Sequence, residues 1–282
     1  RNYTWTAKKE VKQLFDDLLA ILNGERLKHF VGIIIYLEKS ISPFYRERSV
    51  IDGQQRLTTV SLLLLAMHNL LEQGKVVSQT SYLAQSILEN YLIDKFQPKE
   101  KRIKLKPVKD DRAAFDRLFD VPEEHLRKSN LTANYDYFYN RIQKEEITVD
   151  ELYDALFSLE VINIELTSED NPQRIFESLN STGVALSEGD KIRNFILMGL
   201  SANQQEEYYE KYWNRIEILT DYNVSIFVRD YLSIKQQLIP AMDKVYTTFK
   251  AYVQEKGLDT EDLLKELLSY AKWYEILLKG KT

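Results

Sequence analysis

Val11, Leu14, Phe15, Leu18, Leu19 and Leu22 recur at steps of three and four, the apolar stripe of an α-helix. Thr6 reads as its N-cap and Asn23-Gly24 as its stop. The period then changes. Phe30-Val31-Gly32-Ile33-Ile34-Ile35-Tyr36-Leu37 is β-branched or apolar almost throughout, which predicts a strand buried on both faces. Ser42-Pro43 turns the chain toward a second short strand ending Ser49-Val50-Ile51. From Leu57 to Leu71 the chain is apolar nearly all round, so this helix belongs in the middle of the fold.

Residues from about 80 to 155 read as helical and more polar, and within them Arg102-Ile103-Lys104-Leu105-Lys106 alternates like an edge strand. Val161-Ile162-Asn163-Ile164-Glu165-Leu166 predicts a further strand. Beyond Asn171 only helices are predicted, over 172–180, 188–200, 204–219, 223–236, 241–256 and 260–279. Few strands, far apart and outnumbered by helices, give an α+β fold with a small mixed sheet and a mostly helical remainder. The division expected is a domain over 1–200, carrying a helical, partly basic insertion at about 75–155, and a helical bundle over 201–282.

Composition narrows the chemistry. The 282 residues are 44% hydrophobic and contain no cysteine, which excludes disulfides, thiolate catalysis and cysteine-ligated zinc. A reducing cytoplasm fits. The net charge of −5 argues against a generally basic nucleic-acid coat. The longest apolar run, around Leu62 to Met67, is far short of the roughly 20 residues that a membrane helix needs, so no membrane is expected. The chain opens at Arg1 without an initiator Met, and we expect a fragment of a longer protein.

One stretch joins the second strand to the apolar helix: Ile51-Asp52-Gly53-Gln54-Gln55-Arg56-Leu57-Thr58-Thr59. Asp52 reads as an N-cap with Gln55 as its capping-box partner, and Gly53 allows close backbone approach. First-turn amides of a helix have no intrahelical acceptor and form an anion site. Arg56 adds a planar fork of donors matched to phosphate oxygens, and Thr58 and Thr59 add hydroxyls. Capping alone explains Asp52, Gly53 and Gln55; it leaves Gln54 and Arg56, long polar side chains between two apolar segments, unexplained.

A second stretch sets Glu177 and Asn180 three apart on a short helix, breaks at Ser181-Thr182-Gly183, and restarts with Ser187 as N-cap, Asp190 at N3 and Arg193 and Asn194 one turn later. A carboxylate beside an amide can orient water or hold Mg²⁺ through oxygen. Caps and solvated charges account for the same residues.

Together, Val50-Ile51-Asp52-Gly53-Gln54-Gln55-Arg56-Leu57-Thr58-Thr59, Ile175-Phe176-Glu177 with Asn180 and Gly183, and Asp190 with Arg193-Asn194 resemble the GmrSD restriction-endonuclease N-terminal family. Arg1, Tyr3 and Trp5 are similar to that family's opening Arg-x-Tyr-x-Trp signature, which implies a short strand before Arg1. The resemblance implies a ParB/sulfiredoxin-like sheet and a domain that binds and hydrolyses nucleoside triphosphates with Mg²⁺ in a modification-dependent, antiviral restriction system. Carried onto this sequence, Gly53, Gln54, Gln55, Arg56, Thr58, Asn180, Asp190 and Arg193 would bind nucleotide, and Asp52, Arg56 and Glu177 would serve catalysis, Asp52 or Glu177 positioning the metal or the attacking water. Relatives usually continue into an HNH-type nuclease domain built on histidines. His29, His68 and His125 form no ligand pattern, so this chain is expected to lack that activity and to have a nuclease domain as a partner in the full-length protein.

Two other readings stay open. Lys95 to Arg112 is basic, and Arg102, Lys104 and Lys106 could contact a DNA backbone, making the chain a DNA-phosphate-binding or nicking module; lysines guarding a solvated edge explain the run equally well. Alternatively the motifs are only caps, and the chain is a helical interaction scaffold. Tyr3 and Trp5 could stack a base, with core packing as the simpler role.

Overall fold

The computed structural model describes residues 2–42, 45–144, 146–167, 170, 187–198 and 200–279. Its compact units are Arg1–Thr167 and Ser168–Thr282. The division falls upstream of residue 200 because Glu188–Leu197 packs on the helices Val224–Gln236 and Val245–Lys256 of the second unit.

The first unit opens with α1 (Glu10–Leu22), and its stripe Val11, Leu14, Phe15 and Leu18 is buried. Thr6 is not its cap. The helix starts four residues later, after a turn in which the Thr6 carbonyl accepts the Lys9 and Val11 amides and the Thr6 amide donates to Glu10 Oε2 at 3.2 Å. The predicted stop holds: Gly24 takes φ +72° just after the Asn23 C-cap.

β1 (His29–Ser42) pairs antiparallel with β2 (Tyr45–Asp52) and parallel with β3 (Leu159–Leu166), giving a three-stranded mixed sheet of order β2-β1-β3. The α+β class expected from sequence is the one found. β1 is central, yet of its apolar run only Ile34 and Ile35 are buried and Phe30 is 54% exposed. Its apolar pattern marks a central place in the hydrogen-bonded ladder, not cover on both faces.

α2 (Gln54–Glu72) runs through the first core as its composition predicts, with Leu62, Leu63, Leu65, Ala66, Met67 and Leu70 sealed from solvent. It packs on α3 (Leu83–Ile87), a following π turn over Leu88–Leu92, and α5 (Asn130–Gln143). α4 (Lys109–Arg117) and α6 (Val149–Leu156) complete the unit. Trp5 is half-buried against this core. The edge strand expected over 102–106 does not form. A single bridge, Ile93 to Ile103, is flanked by the Asp94 amide on the Arg102 carbonyl and the Lys104 amide on the Leu92 carbonyl. Alternation there turns Ile103 and Leu105 onto the core without any partner strand.

The second unit's described residues are helical: α7 (Glu188–Leu197), α8 (Ala202–Tyr208), a π turn over Tyr209–Trp213, α9 (Asn214–Leu219), α10 (Val224–Gln236), α11 (Val245–Lys256) and α12 (Thr260–Lys279). These lie where the periodicity put them. The helix predicted over 172–180 lies outside the described residues. Trp213, Tyr231, Phe227 and Phe249 centre this core, while Trp273 on α12 is 66% exposed.

Candidate functional site: the strand–turn–helix junction

Gly53, not Asp52, is the N-cap of α2. It takes φ +92° in the left-handed region, and a Cβ there would stand 3.1 Å from Ile34 Cγ1 and 3.2 Å from the Ile33 carbonyl oxygen. Only glycine brings the turn this close to β1. No side chain caps the helix, and its first turn holds no acidic residue. The capping box expected of Asp52 and Gln55 is therefore absent, because left-handed Gly53 takes over the cap. The nineteen-residue helix begins with partial positive charge that neither an N-cap side chain nor a first-turn acid offsets.

Arg56, one turn in, is 20% exposed and turns back across β1. Its NH1 donates to the Ile33 carbonyl at 3.0 Å and stands 3.6 Å from Asp52 Oδ2, an ion pair without a hydrogen bond. Beneath it lies Gly32, whose notional Cβ would come within 2.9 Å of Arg56 Cζ and Nε. Sequence reasoning missed Gly32, although a lone glycine inside an apolar strand signals a bulge or a close approach. Both are found: the β1–β3 register shifts between Phe30 and Gly32.

The neighbouring polar side chains turn inward. Gln54 Nε2 donates to the Val50 carbonyl at 2.7 Å, tying the helix to β2. Gln55 clamps the chain's opening segment: Oε1 accepts the Thr4 amide at 2.8 Å, and Nε2 donates to the Asn2 carbonyl at 3.0 Å. Thr58 and Thr59 are buried, and their hydroxyls donate to the Gln54 and Gln55 carbonyls at 2.8 Å. Thr58 thus spends its hydroxyl proton within its own helix. Tyr3 packs inward. It is buried, its hydroxyl meets Thr59 and Asn134, and burial pushes its phenol up to about 12.

Asp190 and Arg193 belong to the second unit and form a centre of their own. Ser187 caps α7, as the spacing predicts, accepting the Asp190 amide at 3.1 Å. Arg193 is buried with one carboxylate on either side, Asp190 Oδ1 and Glu217 Oε1, each at 3.4 Å. Glu217 also accepts from Trp213 Nε1 at 2.9 Å and the Tyr209 hydroxyl at 3.2 Å. Arg193 is thus paired internally with two carboxylates. Glu217 had no sequence signal beyond its four-residue spacing from Trp213. Glu177 and Asn180 lie outside the described residues.

Lys104 and Lys106 of the proposed DNA contact are engaged at home. Lys104 Nζ donates to the Glu89 and Asn90 carbonyls, and Lys106 Nζ to the Tyr45 hydroxyl at 3.0 Å, 3.7 Å from Glu47. Arg102 remains half-buried beside them. The histidines have local partners: His29 meets Asp17 at 3.3 Å, His68 the Ala84 carbonyl, and His125 is buried edge-on to Tyr135. Among the described residues no group of three or more His, Asp or Glu could hold a metal ion. A cleft of about 570 Å³ between Asn69, Gln73, Arg117 and His125 includes none of the motif residues.

The fold is that of a mixed-sheet α+β domain in which a polar turn, capped by a glycine and crossed by an arginine folded over a strand glycine, joins strand to helix. The chain belongs to the GmrSD restriction endonuclease N-terminal domain family, whose sequence profile matches residues 1–197. It is therefore a component of a restriction, that is defence, protein, and the family implies a nuclease domain in full-length relatives. No curated protein matches the chain. Among the described residues no helix is long and apolar enough to cross a membrane.

Proposed function

We propose that this domain binds, and hydrolyses, a nucleoside triphosphate whose terminal phosphates sit at the start of α2, and that the bound nucleotide governs cleavage by the associated nuclease. Arg56 carries the reading. Among the described residues its charge is met at NH1, by a carbonyl and by a carboxylate too distant to hydrogen-bond, beside a helix whose N-cap is a glycine without a side chain. An oxyanion placed there meets backbone amides and the guanidinium together. Gln54 and Gln55 would act through their backbone, because their side chains secure the turn. The donor set fits Mg²⁺ only in its usual nucleotide-carried form, with one carboxylate, Asp52, added to phosphate oxygens and water. The ion would neutralise the charge that develops on the transferred phosphoryl group. The inward engagement of Lys104 and Lys106 weighs against a DNA-backbone grip at that segment.

Calorimetric titration of the four nucleoside triphosphates with Mg²⁺ tests this. Saturable binding of at least one is expected, weakened at least tenfold in Arg56→Ala while circular dichroism stays unchanged. Absence of heat with all four would overturn the proposal.

A further inference from the structure

We infer that Gly32 is a positioning residue for this site: the space where its side chain would be is the seat that fixes the plane of the Arg56 guanidinium. The inference rests on reading Arg56 as an anion ligand, and extends it to what makes the fork directional.

A Cβ on Gly32 would meet Arg56 Cζ and Nε at 2.9 Å and NH2 at 3.1 Å. Three atoms of one planar group at nearly equal distance mean that the face of the guanidinium, on its Nε–NH2 side, covers the position a Gly32 Cβ would take. The backbone is shaped for this: Gly32 takes φ +128° at the point where the β1–β3 register shifts. Gly53 reciprocates by admitting Ile34 against the turn, so β1 and the start of α2 interlock through two side-chain-less positions. The Ile33 carbonyl then fixes rotation within the plane by accepting from NH1 at 3.0 Å.

An arginine that only tied strand to helix would engage its whole fork. Here NH1 alone makes a hydrogen bond among the described residues, which leaves Nε and NH2, on a side chain 20% exposed. These two nitrogens are an edge of the guanidinium suited to two-point contact with an oxyanion. A plane held before the ligand arrives loses little side-chain freedom on binding. Lysine, a point charge on a flexible stem, has no plane to seat.

The test is a double-mutant cycle of wild type, Gly32→Ala, Arg56→Ala and the double variant, titrated with inorganic triphosphate, a probe that lacks base and sugar. Gly32→Ala should weaken triphosphate binding at least tenfold when Arg56 is present and less than twofold when it is not. Backbone strain at φ +128° is common to both backgrounds and cancels. Equal losses in the two backgrounds, or no loss in the first, would overturn the inference. Thermal unfolding of the same four proteins separates this claim from the preceding one. If wild type binds neither triphosphate nor any nucleotide, the functional reading fails, and the seat then stands or falls on whether the two substitutions are non-additive in Tm. Should Gly32→Ala not fold, Arg56→Lys decides: retained charge with binding lost tenfold supports the seat, and wild-type binding refutes it.

Discussion

Arg193 and Arg56 show one side chain in two situations. Arg193 lies between Asp190 and Glu217 in a buried centre, and Glu217 also receives the Trp213 indole and the Tyr209 hydroxyl. Removing Glu217 takes from the buried guanidinium one of its two carboxylates and leaves the indole donor without its acceptor. Glu217→Ala should therefore cost about 3–5 kcal/mol in urea unfolding, the range for breaking a buried pair from one side. A cost below about 1 kcal/mol would show the centre to be peripheral. Residue types at the junction were legible in the sequence, their partners less so. Asp52, Gly53 and Gln55 look like a local cap, but Gln55 bonds Asn2 and Thr4, some fifty positions away, and a capping rule sees only three.

Elements were most legible where one face is apolar over several turns. α2, α10, α11 and α12 lie where periodicity put them, whereas the start of α1 and the strand over 102–106 rested on single residues or a few alternations. Thr148 and Glu151 form the complete capping box at the head of α6, each side chain bonding the other's backbone amide. These bonds from Thr148 hold the Glu151 carboxyl below its ordinary value of 4.5. A depressed carboxylate adds stability above its unfolded pKa, and that contribution fades as pH falls through the folded value. Thr148→Ala should cost about 1 kcal/mol at neutral pH and return Glu151 toward 4.5 in an NMR titration. An unmoved titration would show the box to be broken in solution.

At the scale of the whole chain, two cores share no residue: one centred on α2, the other on Trp213, Phe227 and Phe249. Leu65→Ala and Phe249→Ala should each cost about 2–5 kcal/mol, and their sum should describe the double variant within about 0.5 kcal/mol. Denaturant titrations of all four proteins check this, and a larger deviation would show the cores to be coupled. Two helical patterns read along one chain carried no mark of the break at Thr167, since hydrophobic periodicity reports faces and not which faces meet.

The placement of the indoles has a spectroscopic consequence. Of the three tryptophans, Trp5 is the first unit's alone and adjoins the segment that Gln55 clamps, Trp213 is sealed in the second core, and Trp273 lies open on α12. With Trp213→Phe and Trp273→Phe, the remaining tryptophan emission, excited to the red of the 18 tyrosines, comes from Trp5, an intrinsic optical probe of the motif that needs no dye.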